Sequence, residues 1–295
     1  MEIRTLRYFV QIAYTKNMSV AANNLHVSQP ALSHQMKELE SELGCTLFER
    51  TNKATLLTDE GKHFLSRAEE ILSLVDRTAK EYESTDKEIV GEISIGAGES
   101  SCMEQLGYAA KRLHEKHRGI TFRISSEIAD VTLDKLHKGI IDFALLFEPV
   151  SKENLDYIEL PFTHAEGVTV PINHELASKD YITTEDLKNR PLIINSRQYI
   201  DKKYIADMYN LDENELDIVA YGNLSFNKAM LAKAGLGIVM GTMINTVPMD
   251  PELKFIPFYP TRNVKLIFAW NKNRRFSKAA ELFLEEVKSV IQNFV

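Results

Sequence analysis

The apolar positions of this chain change period along its length, and the changes mark its parts. Over the first fourteen residues Ile3, Leu6, Phe9, Val10 and Ala13 fall at helical spacing. A second, shorter helix is predicted over SVAANNLHV, with Ser19 as its cap and Ala21, Ala22 and Leu25 facing inward. A tight turn at Val27 and Ser28 leads into SQPALSHQMKELESEL, where Leu32, Met36, Leu39 and Leu43 make one apolar stripe. The opposite side carries Pro30, His34, Lys37 and Ser41, with Gln29 and Ser33 on its flank. Ser28 is a good N-cap, Pro30 costs nothing in a first turn, and Gly44 suits the left-handed residue that closes the helix. Two short helices joined by a tight turn form a helix-turn-helix unit, with the third helix placed as a recognition helix.

Leu47 and Phe48 on one side, and Leu56 and Leu57 on the other, flank the polar tip Arg50, Thr51, Asn52 and Lys53, which predicts a small β-wing. Thr58 then caps a long helix from Asp59 to about Ser84. Its apolar positions Phe64, Ala68, Ile71, Val75, Ala79 and Tyr82 sustain a seam over about three heptads, with no sheet or helix in its own stretch to cover it, so a dimerisation helix is expected. The polar stretch 84–90 reads as a hinge. From Gly91 strands alternate with helices. EISIGAG, TFRISSE and IIDFALLF alternate with helices over Ser100–Lys116 and Asp130–Lys138. The pattern repeats with EGVTVP, a helix after Thr183 and Thr184, PLIIN, a helix near Lys202–Met208, LDIVAY, a helix over about Ser225–Ala234, GLGIVMG and LKFIPF. VKLIFAW and an amphipathic helix over Ser277–Phe294 close the chain. Continuous apolar runs such as FALLF indicate a parallel sheet covered on both faces.

The expected fold is therefore α/β: a winged helix-turn-helix domain over 1–58, a linker helix and hinge over 59–90, and a two-part α/β domain over 91–295. Its first subdomain is read as 91–161 and 262–295, and its second as 162–261, with crossings near Leu155–Phe162 and Pro260.

Composition changes this picture little. Of 295 residues, 44% are apolar and 26% charged, an ordinary globular balance with room for two or three domains. The net charge of −7 excludes a generally basic nucleic-acid coat protein, though not a small DNA-binding head on an acidic body. Cys45 and Cys102 fit no metal or redox spacing and read as two ordinary buried thiols in a reducing compartment. The N-terminal MEIRTLRYFV lacks the long apolar run of a signal peptide, and no apolar stretch approaches roughly 18 residues, so a cytoplasmic protein without a membrane span is expected.

Residues 19–61 contain, in order, paired alanines, Ser-Gln-Pro-Ala-x-Ser, Leu-Glu, Leu-Gly, Leu-Phe-x-Arg and Leu-Thr-x-x-Gly. This run closely resembles the LysR-type transcriptional regulators, and the chain length, linker helix, IIDFALL and AGLGIVMG are similar to that family as well. The resemblance implies a winged helix-turn-helix head, a dimerising linker helix, an effector domain like a type 2 periplasmic binding protein, and a homotetramer built from two kinds of dimer. The chain departs from the family pattern at His34, where arginine is common, and at a less basic wing tip. Residues 28–53 hold three cations, Lys37, Arg50 and Lys53, against four carboxylates, Glu38, Glu40, Glu42 and Glu49, a formal −1. The usual test of a basic patch thus fails, unless the glutamates turn elsewhere; Glu42 is placed on the inward side of its helix.

On this reading Ser28 starts the recognition helix, Gln29 pairs with an adenine edge, Ser33 reaches a base or phosphate, and Pro30 meets a thymine methyl. His34 and Lys37 take phosphate or guanine, and Arg50, Thr51 and Lys53 hold backbone phosphates. The partner is double-stranded promoter DNA with dyad symmetry. A small-molecule effector is expected at the cleft between subdomains, where GAGESS joins a strand to a helix. Glu99, Ser100, Ser101, Phe147, Ser196, Arg197, Asn223 and Ser225 are its candidate contacts, with Arg197 as the anion clamp. Glu99 sits awkwardly beside an anion site: either it points away, or the effector has a cationic or hydroxylated part.

No catalytic residue, metal site or cofactor is expected. GAGESS lacks the third glycine of the dinucleotide fingerprint, no phosphate-binding loop or hydrolase motif occurs, and Cys102 with a remote histidine is a thin case for nucleophilic catalysis. Two other readings compete with a regulator. A solute-binding protein with a vestigial head predicts that Gln29→Ala and Ser33→Ala leave DNA affinity unchanged. An enzyme using the cleft needs an activated nucleophile or a metal site.

Overall fold

In the computed structural model the described residues are 1–50, 54–83, 89–196, 202–242 and 250–293; Thr51, Lys53, Arg197 and the side chain of Arg50 lie outside them. The chain divides into two compact units, Met1–Glu83 and Ser84–Val295.

The first unit contains α1 (Ile3–Thr15), α2 (Met18–Asn24), α3 (Gln29–Leu43), the two-stranded wing β1 (Phe48–Arg50) and β2 (Thr55–Leu57), and α4 (Asp59–Glu83). Leu6, Phe9, Ile12, Ala21, Ala22, Leu32, Met36, Leu39 and Leu47 form one buried core. The Phe9 ring lies 5.1 Å from that of Phe48 and 4.9 Å from that of Phe64, joining α1 to wing and linker helix. Ser28 caps α3, its hydroxyl accepting the Ala31 N–H at 3.3 Å, and Gly44 closes it at φ 71°. At α2 the cap is two residues earlier than expected. Asn17, not Ser19, accepts the N–H groups of Ser19 and Val20, because the longer amide reaches both. Leu43, read as the end of the core stripe, is exposed.

The long helix α4 begins at its predicted cap, with the Thr58 hydroxyl accepting the Gly61 N–H at 2.9 Å. Its seam is not wholly uncovered. Ala68 and Leu72 are buried in the head's core, with Phe64, Leu65 and Ile71 packed against it. Further along, Val75 is half-buried while Leu74 and Ala79 are exposed. Arg7 on α1 pairs with Asp76, and Tyr14 bonds Glu69, so α1 clamps the first part of α4 by polar contacts too.

The second unit carries β3 (Gly91–Ala97), α5 (Met103–Lys116), β4 (Ile120–Ser126), α6 (Ala129–His137), β5 (Phe143–Phe147), β6 (Leu155–Pro171), β7 (Pro191–Asn195), α7 (Lys202–Tyr209), β8 (Asp217–Gly222), α8 (Ser225–Lys233), β9 (Ile238–Thr242), β10 (Leu253–Pro257), β11 (Asn263–Asn271) and α9 (Lys278–Gln292). The sheet runs β4-β3-β5-β11-β6-β9-β7-β8, with β10 paired to β6. It is mixed rather than parallel throughout. β3 pairs parallel with β4 and β5, and β7 with β8 and β9, whereas β6 and β11 run antiparallel to their neighbours. The predicted crossing at Leu155–Phe162 is the first half of the 17-residue strand β6, which pairs with β11 there and with β9 and β10 further on. One strand thus belongs to both halves. Two separate cores lie on either side of it, one under α5 and α9 around Phe143, Phe268 and Phe283, the other around Val168, Leu192, Ile194 and Ile256. The helix expected after Thr183 is a single 3-10 turn, Thr184–Leu187, held by a Thr183–Asp186 capping box. No helix among the described residues is long and apolar enough to cross a membrane.

Candidate functional site

In the first unit, burial of Leu32, Met36 and Leu39 forces the rest of α3 outward. Ser28, Pro30, His34 and Lys37 are exposed, and Gln29 and Ser33 are half-buried at the edge of the same face. The glutamates of this region divide. Glu40 turns to the backbone, where one carboxylate oxygen accepts the N–H groups of Leu47 at 2.7 Å and Phe48 at 3.1 Å. Glu38 stays on the exposed side, accepting from the Gln35 amide at 3.0 Å and lying 3.3 Å from His34 Nδ1. Glu42, read as inward-facing, is exposed and pairs at 2.5 Å with the Met1 ammonium. The carboxylate that leaves the outer face is Glu40, and it does so because the wing's first amides need an acceptor.

In the second unit a cleft of about 890 Å³ opens between the two halves of the sheet. Glu99, Ser100, Phe147, Ser196, Asn223 and Ser225 all line it; Ser101 does not. The loop after β3 reaches it because Gly98 has no side chain, since a Cβ there would stand 3.0 Å from the Phe147 ring. The helix expected to begin near Ser100 begins at Met103. Ser100 is instead buried in a turn, its Oγ accepting the Cys102 N–H at 3.0 Å and lying 3.0 Å from His164 Nε2. Cys102 Sγ lies 3.6 Å from the same nitrogen, so the remote histidine of the sequence is a neighbour after all. Burial pushes the Cys102 thiol up, which keeps it neutral and a poor nucleophile. Cys45 is only half-buried.

Glu99 neither points away from the cleft nor stands open in it. Its carboxylate accepts the Ser225 N–H at 2.5 Å, and so caps α8 from the other half of the unit. The cation the described residues bring here was missed in the sequence. Lys228, on the first turns of α8, is 2% exposed and its Nζ bonds the Asn195 side-chain oxygen. Its stem passes where β8 and β9 lack side chains: a Cβ on Gly222 would stand 2.5 Å from Lys228 Cγ, and one on Gly241 3.9 Å from Nζ. Desolvation lowers its pKa to about 8, with Glu99 opposing the shift. The signal was its spacing of four from buried Ala232, which puts both on the inward side of α8. The remaining carboxylates of the wall have cations of their own. Glu148 pairs with Lys152 at 2.6 Å, Glu166 with Arg262 at 2.9 Å, Asp250 with Lys233 at 2.7 Å, and Glu127 with Lys135. Arg262 also lies 4.7 Å over the ring of Tyr209, whose hydroxyl burial pushes up. Among the described residues no group of three metal-ligating side chains is brought together.

A helix-turn-helix unit with its third helix presented outward, followed along the chain by a bilobal unit with a cleft between lobes, defines the class of ligand-binding DNA regulators. The comparisons with known proteins are more specific. Residues 3–62 match the bacterial regulatory helix-turn-helix protein, lysR family, and residues 86–292 match the LysR substrate binding domain. The chain belongs to the LysR family and is a DNA-binding transcriptional regulator with an effector-binding domain. It is 26% identical over 97% of its length to the uncharacterized HTH-type transcriptional regulator YcgK of Bacillus subtilis, covering 93% of that protein. It is 30% identical over 67% of its length to the HTH-type transcriptional regulator AlsR of the same species, covering 65% of that protein. Among solved structures it is similar to the LysR family regulator CbnR, with TM-score 0.75, 22% identity and 99% of each chain covered. It also matches CbnR in complex with its target DNA, with TM-score 0.74, 22% identity, 98% of this chain and 100% of that one; these likenesses show the fold.

Proposed function

We propose that the chain reads a dyad-symmetric promoter site with paired recognition helices, in the cytoplasm, and that an effector in the cleft resets the spacing of the paired heads. The observation that carries this reading is the division of α3. Its apolar side is wholly consumed by the head's own core, while Ser28, Gln29, Pro30, Ser33, His34 and Lys37 share the outward edge. Gln29 and Ser33 face bases near the helix start, Pro30 meets a thymine methyl, His34 and Lys37 take phosphate or guanine, and Arg50, Thr51 and Lys53 hold phosphates. Because Glu38 stays on this side beside His34, each head holds DNA modestly, and tight binding requires paired half-sites. The exposed Leu74 and Ala79 with half-buried Val75 on α4 support pairing through that helix, and a tetramer of two kinds of dimer follows by family analogy. In the cleft, Glu99, Ser100, Phe147, Ser196, Arg197, Asn223 and Ser225 are the proposed surroundings of the effector.

Footprinting on the DNA upstream of neighbouring, divergently transcribed genes tests the reading. Two protected half-sites are expected, and Gln29→Ala should erase them at protein concentrations where the wild type protects fully. A monomeric protein that prefers no genomic fragment over bulk competitor would end the proposal.

A further inference from the structure

The charges of the cleft decide what kind of molecule fits it. The carboxylates Glu127, Glu148, Glu166 and Asp250 are each neutralised by a cation in contact. Glu99 is occupied by the α8 amide at Ser225. Lys228 is different. It is almost completely buried, its hydrogen bond goes to a neutral amide oxygen, and no carboxylate lies within ion-pair distance of it among the described residues. An ammonium has three donors, and burial without a contacting counter-ion disfavours its charge, which Glu99 favours only from beyond ion-pair distance. The slot left by Gly222 and Gly241 nevertheless brings this one to the cleft wall. Much of the cleft wall is apolar, including Phe147, Ile194, Phe226, Met240 and Phe255, with Ser100, Ser196 and Asn223 among its polar groups.

We infer that the effector is an apolar monocarboxylate, whose carboxylate pairs with Lys228 Nζ beside Asn195 and whose hydrocarbon body lies against Phe147 and Phe226. This rests on the cleft being the effector site, as proposed above. The carboxylate supplies a contacting counter-ion, where the fold offers only the charge of Glu99 from beyond ion-pair distance. The α8 N-terminus needs no second anion, since Glu99 already fills it, so Glu99 marks the limit of the anion site rather than demanding a cationic group on the ligand. The depressed pKa of Lys228 agrees, because it records a charge held at a cost that an anion would relieve.

The test uses the full chain and three probe acids, hexanoate, benzoate and phenylacetate. Each is compared with its neutral amide and with hexylamine and benzylamine, at millimolar concentration and pH 7, by thermal shift and calorimetry. At least one acid should raise Tm by several degrees, with its amide at least tenfold weaker and the amines without effect. Lys228→Met should lose the response to that acid at least tenfold, and Lys228→Arg should keep part of it. Amides or amines matching the acids would overturn the inference, as would an unchanged response in Lys228→Met or silence from all three acids. The acid-against-amide comparison stands on the wild type alone, should a variant fold poorly. Operator footprints, run without probe, separate this from the regulator reading. They persist if only the ligand class is wrong, and an acid that binds without ever altering a footprint would count against effector control instead.

Discussion

Glu40 is the residue on which the recognition helix and the wing depend together. Its backbone oxygen takes the N–H groups of Gly44 and Cys45, and one side-chain oxygen takes those of Leu47 and Phe48. The loop from α3 to β1 is therefore wrapped around a single residue. Glu40→Ala leaves two amides next to the buried Leu47 and Phe48 without an acceptor. Hydrogen bonds to a charged acceptor contribute about 1.5–3 kcal/mol each, and two sharing one half-exposed oxygen should together contribute about 2–4 kcal/mol. The better helix propensity of alanine returns only a few tenths of a kcal/mol. Glu40→Gln keeps an acceptor oxygen without its charge and should lose about half as much.

Urea unfolding of the full chain, followed by circular dichroism and read at the transition of the first unit, measures the loss. The slope should be unchanged and the midpoint lowered. The loss should also reach DNA, because Phe48 begins the wing and packs on Phe9. Operator affinity should fall for Glu40→Ala even at temperatures where the head remains folded. If Glu40→Ala is within about 0.5 kcal/mol of wild type and binds DNA equally well, the bonds contribute nothing and the account of the local charge is wrong.

Gly61→Ala should destabilise the first unit by about 1–3 kcal/mol despite improving helix propensity, since its Cβ would stand 2.1 Å from the Leu47 carbonyl oxygen; an unchanged melting curve would contradict that. Gln29→Ala should weaken operator binding by about 1–3 kcal/mol with little change on bulk DNA, whereas Lys37→Ala should weaken both and reduce the salt slope by about one phosphate, as read by titrations at several salt concentrations. Lys228 has a folded-state pKa lowered from 10.5 to about 8, so the unfolded chain binds more protons between those values and stability rises with pH across that window. The rise should be roughly 3 kcal/mol, seen as the difference between wild type and Lys228→Met in urea midpoints at successive pH values. Glu99 opposes it, and the paired carboxylates Glu127, Glu148, Glu166 and Asp250 and the buried Tyr209 hydroxyl are common to both proteins. Binding of a probe carboxylate should weaken as pH passes 8, because the ammonium that holds it is lost.

What was legible in the sequence follows from how local each signal is. The caps Ser28 and Thr58 and the closing Gly44 act within a few residues of themselves, and the structure places all three as the sequence implied. Asn17 was missed because Ser19 is an equally good cap by type, and only the reach of the side chain separates them. The seam of α4 had the right period, but period does not say which partner covers it: Ala68 and Leu72 go to the head's core, and Phe9 meets Phe64 across α1. FALLF was rightly read as buried on both faces, yet burial is blind to direction, so the antiparallel pairing of β5 with β11 did not show.

The cleft shows the same limit more sharply. Loops that follow strands in an α/β sheet meet at one edge, so Glu99, Phe147, Ser196, Asn223 and Ser225 could be placed together from element order alone. Lys228 could not. In sequence it is one more lysine on a helix with an apolar stripe, and lysine is almost never fully buried. What buries it is remote: Gly222 and Gly241 on two strands leave a slot, and Asn195 on a third gives its Nζ an acceptor. Neither glycine announces this, since glycine in a strand equally marks a bulge or a close backbone approach. Glu99 is the complementary case. Its place in the cleft followed from the loop, but its meaning changed once the Ser225 amide was seen to be its partner, because the charge of a carboxylate that caps a helix is partly offset by the helix N-terminus. The element order therefore positions the cleft, while the charges on its wall are set by groups on helix α8, strands β7, β8 and β9 and the loop after β3, and only their packing decides which charge is left without a contacting partner.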